Sequence, residues 1–194
     1  PSIATPPSEL QTTPNSKLDN IVIITLESFR TDAITPYTPS LDTTPFLNKL
    51  AKEGLKVNNG FVNFPHTSKS LTAINCGIPP YPTMKIREST KNGLPFTCLP
   101  NLLKPLGYNT AFFQTATKNF ENRTGLTKNM GYDKFVPYQE MDTTGSEKIN
   151  YLGHPDKIMI KPVFNWVDEQ EQPFLLSIMT IASHHNYRLP ESFP

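Results

Sequence analysis

NIVIITLESFR, residues 20–30, decides how this chain folds. Residues 20–26 are a short, β-branched, apolar run that gives way abruptly to an acid. A run of that kind reads as a central strand of a parallel sheet, buried on both faces. Glu27 then stands just past the strand's C-terminal end, where open α/β sheets place their ligands. A carboxylate there suits a divalent metal. The competing reading is a surface ion pair with Arg30.

A second such run, FLLSIMTI at 174–181, leads into Ser183-His184-His185-Asn186-Tyr187. Residues 108–113 and 55–64 read as two further strands. Between these runs the spacing predicts helices. TPFLNKLAKE, 44–53, has Thr44 as N-cap, Pro45 at the first position and an apolar face of Phe46, Leu47, Leu50 and Ala51. Gly54 ends it. Residues 68–75, 98–106, 118–130 and 156–169 also read as helical, and 78–97 and 134–152 as loops. The order β-α-β-α-α-β-α-α-β predicts an α/β layered fold around a mainly parallel sheet. Residues 1–18, rich in Pro, Ser and Thr, read as a linker or surface arm, and 19–194 as one domain.

Outward from the first strand lies NFPHTSKSLTAINCG, residues 63–77. Thr67 sits at its turn into a helix, where unpaired N–H groups and the helix dipole favour an anionic ester. A metal-activated hydroxyl there would serve as a nucleophile. The structural reading is a helix N-cap. Glu27, Thr67 and His184 all follow strands, so a parallel sheet brings them to one edge. His184 and His185 are then candidates for substrate contact, or satisfied structural side chains.

Eighteen basic and seventeen acidic residues leave a net charge of +1 and no electrostatic case for nucleic acid. No apolar run is long enough to span a bilayer, and no signal peptide is visible. The chain begins at Pro1 and is expected to be cut at both ends. Its two cysteines, Cys76 and Cys98, form either one disulfide, suited to an extracytoplasmic setting, or two free thiols. Asn122-Arg123-Thr124 is a formal glycosylation sequon, a pattern common by chance.

Four segments together resemble the alkaline phosphatase superfamily. The likeness is to its sulfatase-like branch of lipoteichoic acid synthases and phosphoethanolamine transferases. NIVIITLESFR resembles that branch's first strand with its metal-ligating Glu, here Glu27. TTPFLNKLAKEG resembles the helix that follows. HTSKSLTAINCG is similar to the nucleophile segment, with Thr67 at the attacking position. FENRTGLTKNMGYDKF, LGHPDKI and PFLLSIMTIASHHNY follow in the order found in lipoteichoic acid synthases.

The resemblance implies Thr67 as nucleophile and metal ligand, and Glu27 as a ligand of the same ion: manganese, magnesium or zinc. It implies Arg123 as holder of the phosphate of a phospholipid head group or other phosphodiester, and His184 as a substrate contact. The implied chemistry is transfer of a phosphoglycerol or phosphoethanolamine group through a phosphothreonine. The implied setting is extracytoplasmic, with a membrane tether upstream. Hydrolysis of phosphate or sulfate esters, or a binding role without chemistry, are the alternatives. A sulfatase that makes its nucleophile from Cys or Ser is not served by Thr67. The sequence departs from the branch at Glu121 (a Trp there), Lys69 (an acid) and Asn186 (a Pro). The remaining metal ligands, an Asp-His pair of the C-terminal half, have no counterpart, so at most half a metal site and little turnover are expected of this chain alone.

Overall fold

The structure is a computed structural model and describes residues 17–187. Four parallel strands form one sheet: β1 (Ile21–Thr25), β2 (Asn109–Gln114), β3 (Lys134–Val136) and β4 (Phe174–Met179), in the order β1-β4-β2-β3. The last strand inserts between the first and second. It pairs with β1 from Ile21 opposite Leu175 to Thr25 opposite Met179, and with β2 from Asn109 opposite Phe174 to Gln114 opposite Met179.

The described residues form five α-helices: α1 (Pro45–Glu53), which buries none of its residues, and α2 (Thr67–Cys76), α3 (Leu99–Leu103), α4 (Arg123–Met130) and α5 (Ile160–Asp168), which cover the sheet. Alternation along the strands splits the core in two. Phe112, Leu175 and Met179 join Leu71, Leu103, Leu126 and Met130 under α2, α3 and α4. Ala111, Phe113, Phe174 and Leu176 meet Met159, Val163 and Trp166 of the α5 side. This is the α/β sandwich that the strand and helix periods predict.

Three expectations change. The first strand is not buried on both faces. Among the described residues it is the sheet's edge, and Val22 and Ile24 are 51% and 59% exposed. Ile21 and Ile23 pack on the α2 side, but the α5-side cluster contains no β1 residue. The buried central positions go instead to β2 and β4. The expected strand at 55–64 is irregular, with Leu55 and Phe61 about nine-tenths exposed; Asn58-Asn59-Gly60 interrupts the run with turn formers. The fourth strand is β3, which at three residues is too short for a periodic signal.

The expected arm at 1–18 falls mostly outside the described residues. Leu18 packs on the core, and the Asp19 carbonyl accepts a hydrogen bond from Tyr108 Oη at 2.7 Å. The ordered body therefore begins no later than Leu18. Cys76 ends α2 and Cys98 caps α3, and the two are joined as a disulfide. It closes the loop between α2 and α3.

Candidate active site

Glu27 leaves β1 at the C-terminal edge of the sheet. Its N–H donates to Thr180 Oγ1 at 3.2 Å, and the Thr180 N–H donates to the Thr25 carbonyl at 3.1 Å. The ladder thus continues one step past both strands and fixes where Glu27 projects. Arg30 does not pair with Glu27; it lies 2.6 Å from Asp32.

Thr67 is the first residue of α2, and His66 occupies the cap position. The Thr67 hydroxyl caps nothing. It donates to Glu27 Oε1 at 3.0 Å, across 40 residues of chain. The N-cap reading is therefore replaced by a hydroxyl–carboxylate pair at the mouth of a helix.

Arg123 opens α4. Its N-cap Asn122 accepts from the Gly125 N–H at 3.2 Å and donates to the Ser89 carbonyl at 2.7 Å. That side chain is thus already engaged at the sequon. Arg123 is 1% exposed, and its Nε and Nη1 have no hydrogen-bond partner among the described residues. Burial pushes its pKa down to about 10, against the pull of Glu121 and Glu27. A buried guanidinium with unused donors is built to receive an anion.

His184 follows β4 and is half-buried. Its Nδ1 is buried without a partner among the described residues. Desolvation, and then the neighbouring His185, lower its pKa, which favours the neutral ring. The loop carrying it is clamped by Asp156, whose carboxylate accepts the Ile181 and Ala182 N–H groups at 2.9 Å each.

These side chains line one cleft of about 320 Å³ that includes Glu27, Thr67, Arg123 and His184. Four of the five expected site residues thus share it. His185 does not line it; its exposed ring lies tilted against that of His184, with centroids 4.1 Å apart. Sequence reasoning missed His66, Phe120 and Tyr151, which also line the cleft. It noted Glu121 only as a departure. Position −1 to Thr67 and position −2 to Arg123 were the available signals for His66 and Glu121.

The donor set can be tested against a divalent cation. Glu27 and Thr67 offer two hard oxygens 3.0 Å apart, of the kind magnesium and manganese accept and zinc tolerates. They fit as two ligands of one ion. No group of three or more His, Cys, Asp or Glu that could complete a site occurs among the described residues.

The sulfatase family profile matches residues 19–194. Lipoteichoic acid synthase of Staphylococcus aureus (strain USA300) is 31% identical over 93% of this chain, which spans 30% of that protein. The crystal structure of the lipoteichoic acid synthase LtaP from Listeria monocytogenes superposes with a TM-score of 0.75 at 24% identity, over 89% of this chain and 42% of the other. The C-terminal periplasmic domain of EcEptC from Escherichia coli, solved as a zinc complex, gives a TM-score of 0.65 at 19% identity, over 91% of this chain and 48% of that one. The matched length, the parallel sheet and the cleft at its C-terminal edge agree: the chain belongs to the sulfatase family.

Proposed function

We propose that this chain carries the nucleophile half of the active site of a metal-dependent phospho-group transferase, of phosphoglycerol or phosphoethanolamine type. The observation that carries the reading is the 3.0 Å pair between Thr67 and Glu27, in the same cleft as the buried, unsatisfied Arg123. A divalent ion held by Glu27 and Thr67 would lower the hydroxyl's pKa and neutralise charge on the transferring group.

The chain's own residues supply the rest. Arg123 binds and orients the phosphoryl oxygens with donors that nothing else in the described structure uses. The Thr67 oxygen attacks phosphorus; its proton is lost, the bond to the leaving alcohol breaks, and that alcohol departs with a proton. A second alcohol then attacks the phosphothreonine, and the bond from Thr67 to phosphorus breaks, restoring the hydroxyl. With water in the second step the same machinery is a phosphodiesterase. His184 contacts substrate at the cleft wall.

The Cys76–Cys98 disulfide supports an extracytoplasmic setting, since such bonds persist in oxidising compartments. The periplasmic domain among the structural neighbours supports it too.

The test uses the longest polypeptide that carries this chain, with manganese and either an aryl phosphodiester or an aryl sulfate. Metal-dependent release of the phenol from the phosphodiester is expected, with a phosphate ester on the Thr67 peptide by mass spectrometry. Thr67→Ala should lower turnover by about a thousandfold or more. Cleavage indifferent to Thr67, or confined to the sulfate, overturns the reading.

A further inference from the structure

Glu121 is the second carboxylate of the cleft, beside Glu27, and both of its oxygens are engaged by neighbours of Thr67. Its Oε1 lies 2.8 Å from His66 Nε2, and its Oε2 accepts from Ser68 Oγ at 2.6 Å. His66 and Ser68 are the residues on either side of Thr67. Ser68 is fully buried, and the His66 and Glu121 side chains are 16% and 19% exposed. Bonds to a carboxylate in such a setting are strong and directional.

The backbone supports the same assignment. Glu121 (φ 51°, ψ 32°) and Asn122 (φ 50°, ψ 52°) are consecutive non-glycine residues in the left-handed region. Asparagine tolerates that conformation, but for Glu121 it is unfavourable and persists only where surrounding contacts over-determine it. Its effect is to turn Glu121 toward the first turn of α2 while Arg123, two residues on, enters the cleft from the start of α4.

We infer that Glu121 is a positioning residue: its carboxylate grips the chain on both sides of Thr67 and holds the nucleophile in one orientation toward the group bound by Arg123. The inference rests on Thr67 being the nucleophile. It divides the work between two acids. Glu27 directs the Thr67 hydroxyl, and Glu121 fixes the backbone that carries it. A role in recognising a substrate cation is disfavoured, because neither oxygen of Glu121 is free of a protein donor.

The Thr67 side-chain rotamer reports this directly. Three-bond couplings from its methyl carbon to the amide nitrogen and carbonyl carbon, measured by NMR on this chain, should show a single χ1 well in the wild type. Glu121→Gln keeps an acceptor for Ser68 and a donor for the other tautomer of His66, and should keep the single well. Glu121→Ala should give couplings averaged over rotamers. Glu121→Asp, shorter by one methylene and able to reach one neighbour at a time, should do the same, and it carries the test if the alanine variant does not fold.

On the longest polypeptide that carries this chain, Glu121→Ala should lower kcat about 100-fold with KM nearly unchanged, and Glu121→Gln should recover much of it. A lower melting temperature with wild-type couplings would mean that Glu121 is only structural. A raised KM at unchanged kcat would make it a recognition residue and overturn the inference. Retained activity in Thr67→Ala would defeat the nucleophile reading instead, an outcome the couplings do not depend on.

Discussion

The Lys69 ammonium lies 2.8 and 2.7 Å from the two carboxylate oxygens of Glu88, and the side chains are 0% and 1% exposed. Lys69 is on α2, two residues after Thr67, and Glu88 is in the loop that the disulfide closes. Lys69 also donates to the Lys85 carbonyl, and Glu88 accepts from the Tyr81 N–H. The same loop is tied to α4 by Asn129, which donates to the Glu88 and Thr90 carbonyls. It is therefore a strap between the helix that starts at Thr67 and the helix that starts at Arg123.

Breaking one side of this pair leaves a buried charge without its partner. Lys69→Met is expected to destabilise the chain by about 3–5 kcal/mol, read from urea unfolding. Lys69→Met combined with Glu88→Leu removes both charges and should be far milder than the single change. A double variant as unstable as the single one would show that the pair is not the relevant interaction.

Joining Cys76 to Cys98 closes a loop of 22 residues. Loop-closure entropy of that length corresponds to about 3 kcal/mol. Replacing both cysteines with serine, or reducing the bond, should lower stability by about that amount. Thermal melts with and without a reductant check it. Equal melts would mean that the strap is held by the Lys69–Glu88 pair and the α4 contacts alone.

Arg123 is buried, and its Nε and Nη1 are without a partner among the described residues. Arg123→Met should raise stability by about 2 kcal/mol, because it removes a buried charge whose donors are unmet in the described structure. The same change should abolish binding of inorganic phosphate, followed by calorimetry or phosphorus NMR. A destabilised variant that still binds phosphate would place the anion elsewhere.

His184 and His154 both have lowered pKa values, burial being the main cause in each. The unfolded chain therefore takes up protons near pH 6.5 that the folded chain does not. The sign follows: stability falls as pH drops through that value and rises toward neutrality. Urea midpoints at pH 7.5 and 5.5 should show the loss, and His154→Gln with His184→Gln should reduce it. A midpoint that rises on acidification would contradict the burial argument.

Much of the fold was legible because local patterns carry it. Residues 20–26 and 174–181 are mainly apolar runs, and each contains a parallel strand. Pro45 at the start and Gly54 at the end framed α1 to the residue. The errors have physical causes. Residues 55–64 have strand-like composition, but pairing depends on a free neighbouring edge and an uninterrupted backbone, which composition does not encode. The strand β3 is three residues long and is defined by its three partners on β2.

The site divides in the same way. Sequence by itself placed Glu27, Thr67 and His184 after strands or at a helix start, because strand direction in a parallel sheet sends such residues to one edge. Arg123 came only from resemblance. Tertiary structure alone decided that Thr67 donates to Glu27 rather than capping its helix, that His185 stands outside the cleft, and that Glu121 reaches 53 residues back to Ser68. Those facts depend on distances between segments far apart in the chain. Such distances are set by how helices pack across the sheet, and no local period records them.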